Sequence, residues 1–208
     1  MLDFLVDLDE YFCENYANYS KICMLQGYEM PKMQDTKIDE YGRERAYTLP
    51  MSTMRLALQK NKRELLAELK TNLVDKTFSF SFLPYTAIQR IENLFSKTSF
   101  YKHWKKTVEN FRLDEEEIGR QLSISPEIWR NICKGKFAPT KNLLFSIALV
   151  QPLPFEKWLE LLASCGYVLN YEMEKDVVLS YLIQQKVSNR EMIDKALQEY
   201  HVDNLFLA

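Results

Sequence analysis

Cysteine and histidine are the side chains best suited to hold a metal or attack an electrophile. The chain has four cysteines, Cys13, Cys23, Cys133 and Cys165, and two histidines, His103 and His201. The cysteines lie far apart, with no CxxC pair and no histidine at ligand spacing, so no zinc site is expected. Four small buried thiols in a reducing compartment is the plain expectation. No GxSxG elbow, Gly-rich phosphate loop, HExxH helix or DxD cluster is present. The expectation is therefore a non-enzymatic protein with no cofactor and no metal. Phe78, Phe80 and Phe82 alternate with Ser79 and Ser81. Alternating aromatics can stack nucleic-acid bases on a sheet face. Such a face wants basic side chains between the rings, and serines there favour core packing.

Composition narrows the class. The 208 residues carry 27 basic and 29 acidic side chains, a net charge of -2, and 47% are hydrophobic. That is too apolar for disorder and fits one large or two small domains. Glycine is scarce, with five, which argues against a turn-rich all-β fold. With a pI near 5.8 the whole chain is no electrostatic sponge for nucleic acid. No apolar run approaches the ~20 residues that span a bilayer, and the longest, Leu143 to Val150, reads as a short buried helix. The acidic start, Met1-Leu2-Asp3-Phe4, lacks the bases of a signal peptide, so a cytoplasmic protein away from membranes is expected.

The elements follow from periodicity. Leu2, Leu5, Leu8, Phe12, Tyr16 and Tyr19 make one helical stripe. From Gly27 to Pro50 the period fails, which predicts a long loop or a short irregular hairpin. A helix is expected over Ser52 to Lys76, with Leu58, Leu65, Leu69 and Leu73 facing inward and Phe78, Phe80 and Phe82 closing the same core. The alternating run is read as a strand whose best partner is Ala46 to Leu49, and Pro84 as the opening of a helix over Tyr85 to Phe95. Short helices follow: Ser99 to Phe111, Asp114 to Leu122 with Asp114 and Glu117 as a capping box, and Pro126 to Lys134 stopped by Gly135. Thr140 to Val150, Pro154 to Cys165, and Ser188 to Tyr200 opened by a Ser188–Glu191 box complete the chain.

The stretch from Leu113 through Ile118, Leu122, Ile124, Ile128 and Ile132 to Gly135-Lys136 and Pro139-Thr140 resembles the helix-turn-helix of the lambda-repressor-like, or xenobiotic-response-element, class. Gly119 takes the small-residue position where the paired helices cross. Asn142 to Leu149 and Phe155 to Leu162 are similar to the family's next two helices. The tail, Leu161 to Leu169 and Asp176 to Ile183, is similar to that of some bacterial proteins carrying this motif. Periodicity and the resemblance together give a mainly α fold: an N-terminal helical region (1–97) with a possible short β-hairpin, read from the residues, then a five-helix helix-turn-helix domain (98–170) and a C-terminal helical extension (171–208) that the resemblance implies.

In this family the second helix of the pair enters the major groove. Carried over, the base-facing positions are Pro126, Glu127, Ile128, Arg130, Asn131 and Lys134. Arg130 and Asn131 suit guanine and adenine respectively. Lys134, Lys136 and Lys141 would meet phosphates. The first helix argues the other way. It begins Asp114-Glu115-Glu116-Glu117, and Glu115 stands where the family has a phosphate-contacting glutamine. From Thr98 to Asn170 ten bases face eight acids, enough for a homodimer on two half-sites and weak for a monomer. The resemblance thus implies a DNA-binding transcriptional regulator with double-stranded DNA as partner. The alternative is a helix-turn-helix protein-interaction module or adaptor with weak or no DNA binding, in a phage-defence or mobile-element setting.

Overall fold

The computed structural model describes residues 2–38, 40–50, 55–73, 82–96, 99–151, 153–203 and 205–207. The protein is mainly helical with one short antiparallel hairpin. In chain order the elements are α1 (Leu2–Asn15), α2 (Tyr19–Ile22), β1 (Lys32–Ile38), β2 (Glu44–Pro50), a 3₁₀ turn (Leu56–Leu58), α3 (Lys62–Thr71), α4 (Ala87–Phe95) and α5 (Phe100–Phe111). They continue as α6 (Glu115–Gln121), α7 (Pro126–Cys133), α8 (Lys141–Val150), α9 (Phe155–Ser164), α10 (Glu174–Gln184) and α11 (Arg190–Glu199). The chain divides into two compact units: Met1–Val74 with Asn170–Val178 and Glu199–His201, and Asp75–Leu169 with Leu179–Gln198 and Val202–Ala208. Among the described residues no helix is long and apolar enough to cross a membrane.

The first unit is built on the apolar stripe of α1. Leu8, Phe12 and Tyr16 are fully buried, with the Phe12 ring stacked on Tyr16 and tilted against Tyr200, 4.7 Å from each. Buried hydroxyls need acceptors: Tyr200 donates to Asp9 at 2.7 Å and Tyr16 to Glu174. Lys70 completes the Asp9 cluster, pairing with Asp9 and Glu199 and lying 4.5 Å over the Tyr200 ring. Tyr19, expected on the same stripe, is 58% exposed because α1 ends at Asn15 and Asn18 caps a new helix.

The expected helix over Ser52 to Lys76 is shorter. Residues 52–54 and 74–76 lie outside the described residues, and α3 starts only at Lys62. Upstream, the buried Gln59 side chain pairs with both backbone groups of Glu29, accepting at 3.1 Å and donating at 2.7 Å. That pairing holds the chain extended and shifts the helical phase. Leu65, Leu69 and Leu73 are buried as expected, but Leu58 is 49% exposed and Leu56 fills the core instead.

The hairpin also corrects a pairing. Ala46 and Thr48 of β2 face Thr36 and Gln34 of β1, so the Ala46 to Leu49 stretch is already partnered. Phe78 and Phe80 lie outside the described residues. Phe82 belongs to the second unit, where its ring sits 5.3 Å from that of Phe206.

The core of the second unit is α8, whose residues Leu143 to Leu149 are all buried. Trp158 of α9 is fully buried and donates to the Leu144 carbonyl at 3.0 Å. Ser146, also buried, accepts from the Phe206 amide at 2.8 Å, which ties the C-terminal segment down. Caps set the helix starts: Asp114, Ser125 and Thr140 each accept from a first-turn amide. Two expected capping boxes are corrected. Glu117 turns away to Arg120 and Gln121. At α11 the cap is Asn189, which accepts from Met192, in place of Ser188. Among the cysteines only Cys13 is fully buried; Cys23 is exposed because it ends the four-residue α2, where Ile22 and Leu25 take the inward positions.

Candidate functional site

Helices α6 and α7 are joined by the four-residue turn Leu122 to Ser125. Ile118, Leu122 and Ile132 are buried beneath them. Gly119 sits at the crossing: an added Cβ would fall 2.4 Å from Cδ1 and 2.7 Å from Nε1 of Trp129. No larger residue leaves room for the indole there. Trp129 is 6% exposed, and its Nε1 donates to the Glu115 carbonyl at 2.8 Å.

With Trp129 and Ile132 inward, α7 turns Glu127 and Arg130 to solvent, and Asn131 lies half-buried at the edge. Lys134 is the first residue past the helix and Lys136 follows in the exit loop; both are exposed. Arg130, Lys134 and Lys136 have no acidic partner among the described residues. Many other surface bases do: Lys62 with Glu10, Arg120 with Glu117, Lys157 with Glu160 and Arg190 with Asp194. Lys141 belongs to the next helix. It opens α8, half-buried, with its ammonium 5.8 Å from the centre of the Phe145 ring.

The start of α6 differs from what the motif alone suggests. Asp114 accepts from the amides of Glu116 and Glu117, both at 3.0 Å, and so occupies the helix N-terminus with its own carboxylate. Glu115 does not present a bare charge to solvent. Its carboxylate accepts from Trp104 Nε1 at 2.6 Å, while its carbonyl accepts from Trp129. Trp104 is 1% exposed and meets Trp129 edge-on at 5.8 Å. Glu115 is thus the polar pin that joins α5, α6 and α7. Burial and the neighbouring Glu115 carboxylate hold the Cys133 thiol well above its ordinary range. A negative charge in this position discourages a second one on sulfur, so Cys133 is a poor nucleophile.

Sequence reasoning missed the surroundings of the exit loop. Gly135, at φ +66°, brings its backbone against α5, where an added Cβ would lie 3.1 Å from that of Tyr101. The segment before α4 pairs with the same loop: the Tyr85 amide donates to Lys136 at 2.9 Å and the Ala138 amide to Leu83 at 3.0 Å. Together with α4 these pieces border a half-open cavity of about 320 Å³, lined among others by Tyr85, Arg90, Ser99, Tyr101, Lys134 and Lys136. Only spatial proximity unites them, and no sequence spacing announces it. On α4 itself Ile88, Ile91 and Phe95, one or two turns apart, are 70%, 55% and 82% exposed.

Comparison of this chain with protein-family models, with curated proteins and with solved structures finds no match.

Proposed function

We propose that the second unit contains a helix-turn-helix and that the protein is a DNA-binding regulator. In this reading α6 and α7 are the paired helices and α7 lies in the major groove. Arg130 and Asn131 read base edges, and Lys134 and Lys136, at the start of and within the exit loop, hold phosphates. One observation carries the reading: Arg130, Lys134 and Lys136 form an exposed basic edge on α7 and its exit loop, with no acid paired to it among the described residues. Lys141 serves α8 packing more than phosphate contact, since its ammonium lies near the Phe145 ring. Two copies on two half-sites supply the contacts that one copy lacks.

The test separates the two kinds of contact. Arg130→Ala should cost ~1–3 kcal/mol and relax preference at one base pair. Lys136→Ala should weaken all sequences alike and reduce the salt slope by about one unit. Selection of bound duplexes from a random pool, followed by anisotropy titration, reads both. If the two substitutions act alike on every duplex, α7 does not read sequence.

A second reading, a protein-interaction module with weak or no DNA binding, draws on Asp114. Its carboxylate fills the N-terminus of α6, where the family seats a backbone phosphate. Duplex binding that is absent at low salt, with the fold intact, selects this reading.

A further inference from the structure

The cavity beside the exit loop has a chemistry of its own. Arg90 enters from α4, Lys134 and Lys136 from the loop after α7, and no acidic residue lines it. At its wall Ser99 is the N-cap of α5, yet its side chain caps nothing. Ser99 is 6% exposed, and its hydroxyl is buried without a hydrogen-bond partner among the described residues. A buried hydroxyl without a partner is costly, and an N-cap serine that leaves its own helix uncapped loses a further bond. Both costs disappear if a ligand oxygen completes the site.

The rest of the surroundings select the charge of that ligand. α5 is 12 residues long, so its first amides and dipole favour an anion at this end. Three cations without an acid complement a dianion, the form that a phosphate monoester takes near neutral pH. The walls are already held in place, by the Tyr85–Lys136 and Ala138–Leu83 backbone bonds and by the Gly135–Tyr101 approach. At about 320 Å³ the space lies at the small end of ligand pockets, which run to ~300–1,000 Å³. Tyr85 and Tyr101 give it an aromatic side. With Ser99 only 6% exposed, a small ligand reaches its hydroxyl more readily than the phosphate of a rigid duplex does.

We propose that this cavity binds a small phosphate monoester with an aromatic or otherwise apolar body, its phosphoryl group held by Arg90, Lys134, Lys136 and the Ser99 hydroxyl. The site shares Lys134 and Lys136 with the proposed DNA edge but does not depend on it. Occupancy would withdraw both lysines from phosphate contact, so ligand and duplex would compete.

Calorimetric titration of the full chain with adenosine 5′-monophosphate, inorganic phosphate and adenosine tests the site. The expected result is saturable binding of the nucleotide, weaker competing binding of phosphate, and adenosine at least about tenfold weaker than the nucleotide, since a charge-assisted bond is worth about a factor of ten or more. Arg90→Ala and Lys136→Ala, both at exposed positions, should each weaken the nucleotide about tenfold. Ser99→Ala should weaken it with the melting temperature unchanged or raised, because the hydroxyl it removes makes no bond. Arg130→Ala, outside the cavity, should leave nucleotide binding intact while weakening a duplex, so failure of either reading is seen separately. Three results overturn the proposal: no saturable binding of nucleotide or phosphate in the millimolar range, adenosine binding equal to the nucleotide, or nucleotide binding indifferent to Ser99→Ala and Lys136→Ala. A loss of duplex affinity in Ser99→Ala without nucleotide binding would assign the site to a DNA backbone phosphate and overturn the small-ligand proposal as well.

Discussion

Gly119→Ala gives opposite signs under two accounts of α6. Inside a helix alanine is favoured over glycine by about 1 kcal/mol, so on propensity alone the change stabilises. The structure says otherwise. The new methyl would stand 2.4 Å from Trp129 Cδ1, where carbon pairs rest at ~3.5–4.0 Å. The indole must retreat by about 1 Å, and it is not free to do so. It is buried, edge-on to Trp104, and bonded through Nε1 to the Glu115 carbonyl. Overpacking of this kind costs ~1–3 kcal/mol, and the strained indole bond about 1 kcal/mol more. Set against the propensity gain, the net loss is ~1–3 kcal/mol, or about 3–10 °C in melting temperature. Thermal melts followed by far-UV circular dichroism read it directly. In a Trp129→Leu background the same change should cost clearly less, since the clashing atoms are gone. A Gly119→Ala variant as stable as the parent would refute the packing of α6 on α7.

Trp104→Ala should cost ~3–5 kcal/mol, since it empties a buried site and leaves the Glu115 carboxylate without its donor; unchanged stability in denaturant titration would contradict this. Glu115→Gln should destabilise by about 1 kcal/mol, as a charge-assisted bond becomes a neutral one, and should lower the Cys133 thiol, so alkylation of that cysteine should begin at lower pH. Lys175 is held down to about 8 by burial, against an ordinary 10.5. Between those values the unfolded chain binds the proton more readily, so this residue's penalty is full below pH ~8 and relieved as pH rises toward ~10.5. Cys13, pushed up to about 11 from 9 by burial, loses its contribution as pH rises through that range, so the comparison must be between variants. Lys175→Met should be more stable than the parent at pH 7, with the gap closing between pH ~8 and ~10.5; a gap that widens over that range would be wrong in sign.

The helices of the second unit were legible because their starts are written locally. Asp114, Ser125 and Thr140 each precede a helix and cap it through bonds two or three residues away. Gly119, read from a resemblance as the crossing residue, meets the Trp129 ring in the structure. Where long-range bonds decide, the pattern misled. Leu58 sits in phase with Leu65 and Leu69, but Gln59 pairs with Glu29, thirty residues away, and breaks that phase. Alternation pairs Ala46 with the phenylalanines in the sequence, yet its partner is Thr36, closer in the chain. Glu115 read as a misplaced charge because its acceptor role depends on two tryptophans from two other helices. Arg90 and Ser99 carry no sequence signal for the same reason: only the fold brings them to Lys134 and Lys136.

The basic edge of α7 and its exit loop is the central claim, and a salt series on duplex DNA tests it most directly. Anisotropy of a labelled mixed-sequence duplex is followed from ~50 to ~200 mM salt, the range over which phosphate contacts weaken most visibly. Lys134 and Lys136 provide two phosphate contacts per copy, so the slope of log affinity against log salt should be about -4 for a dimer on two half-sites, or about -2 for one copy. A protein that stays folded and shows no duplex binding at ~50 mM salt, or a binding constant indifferent to salt, would contradict it.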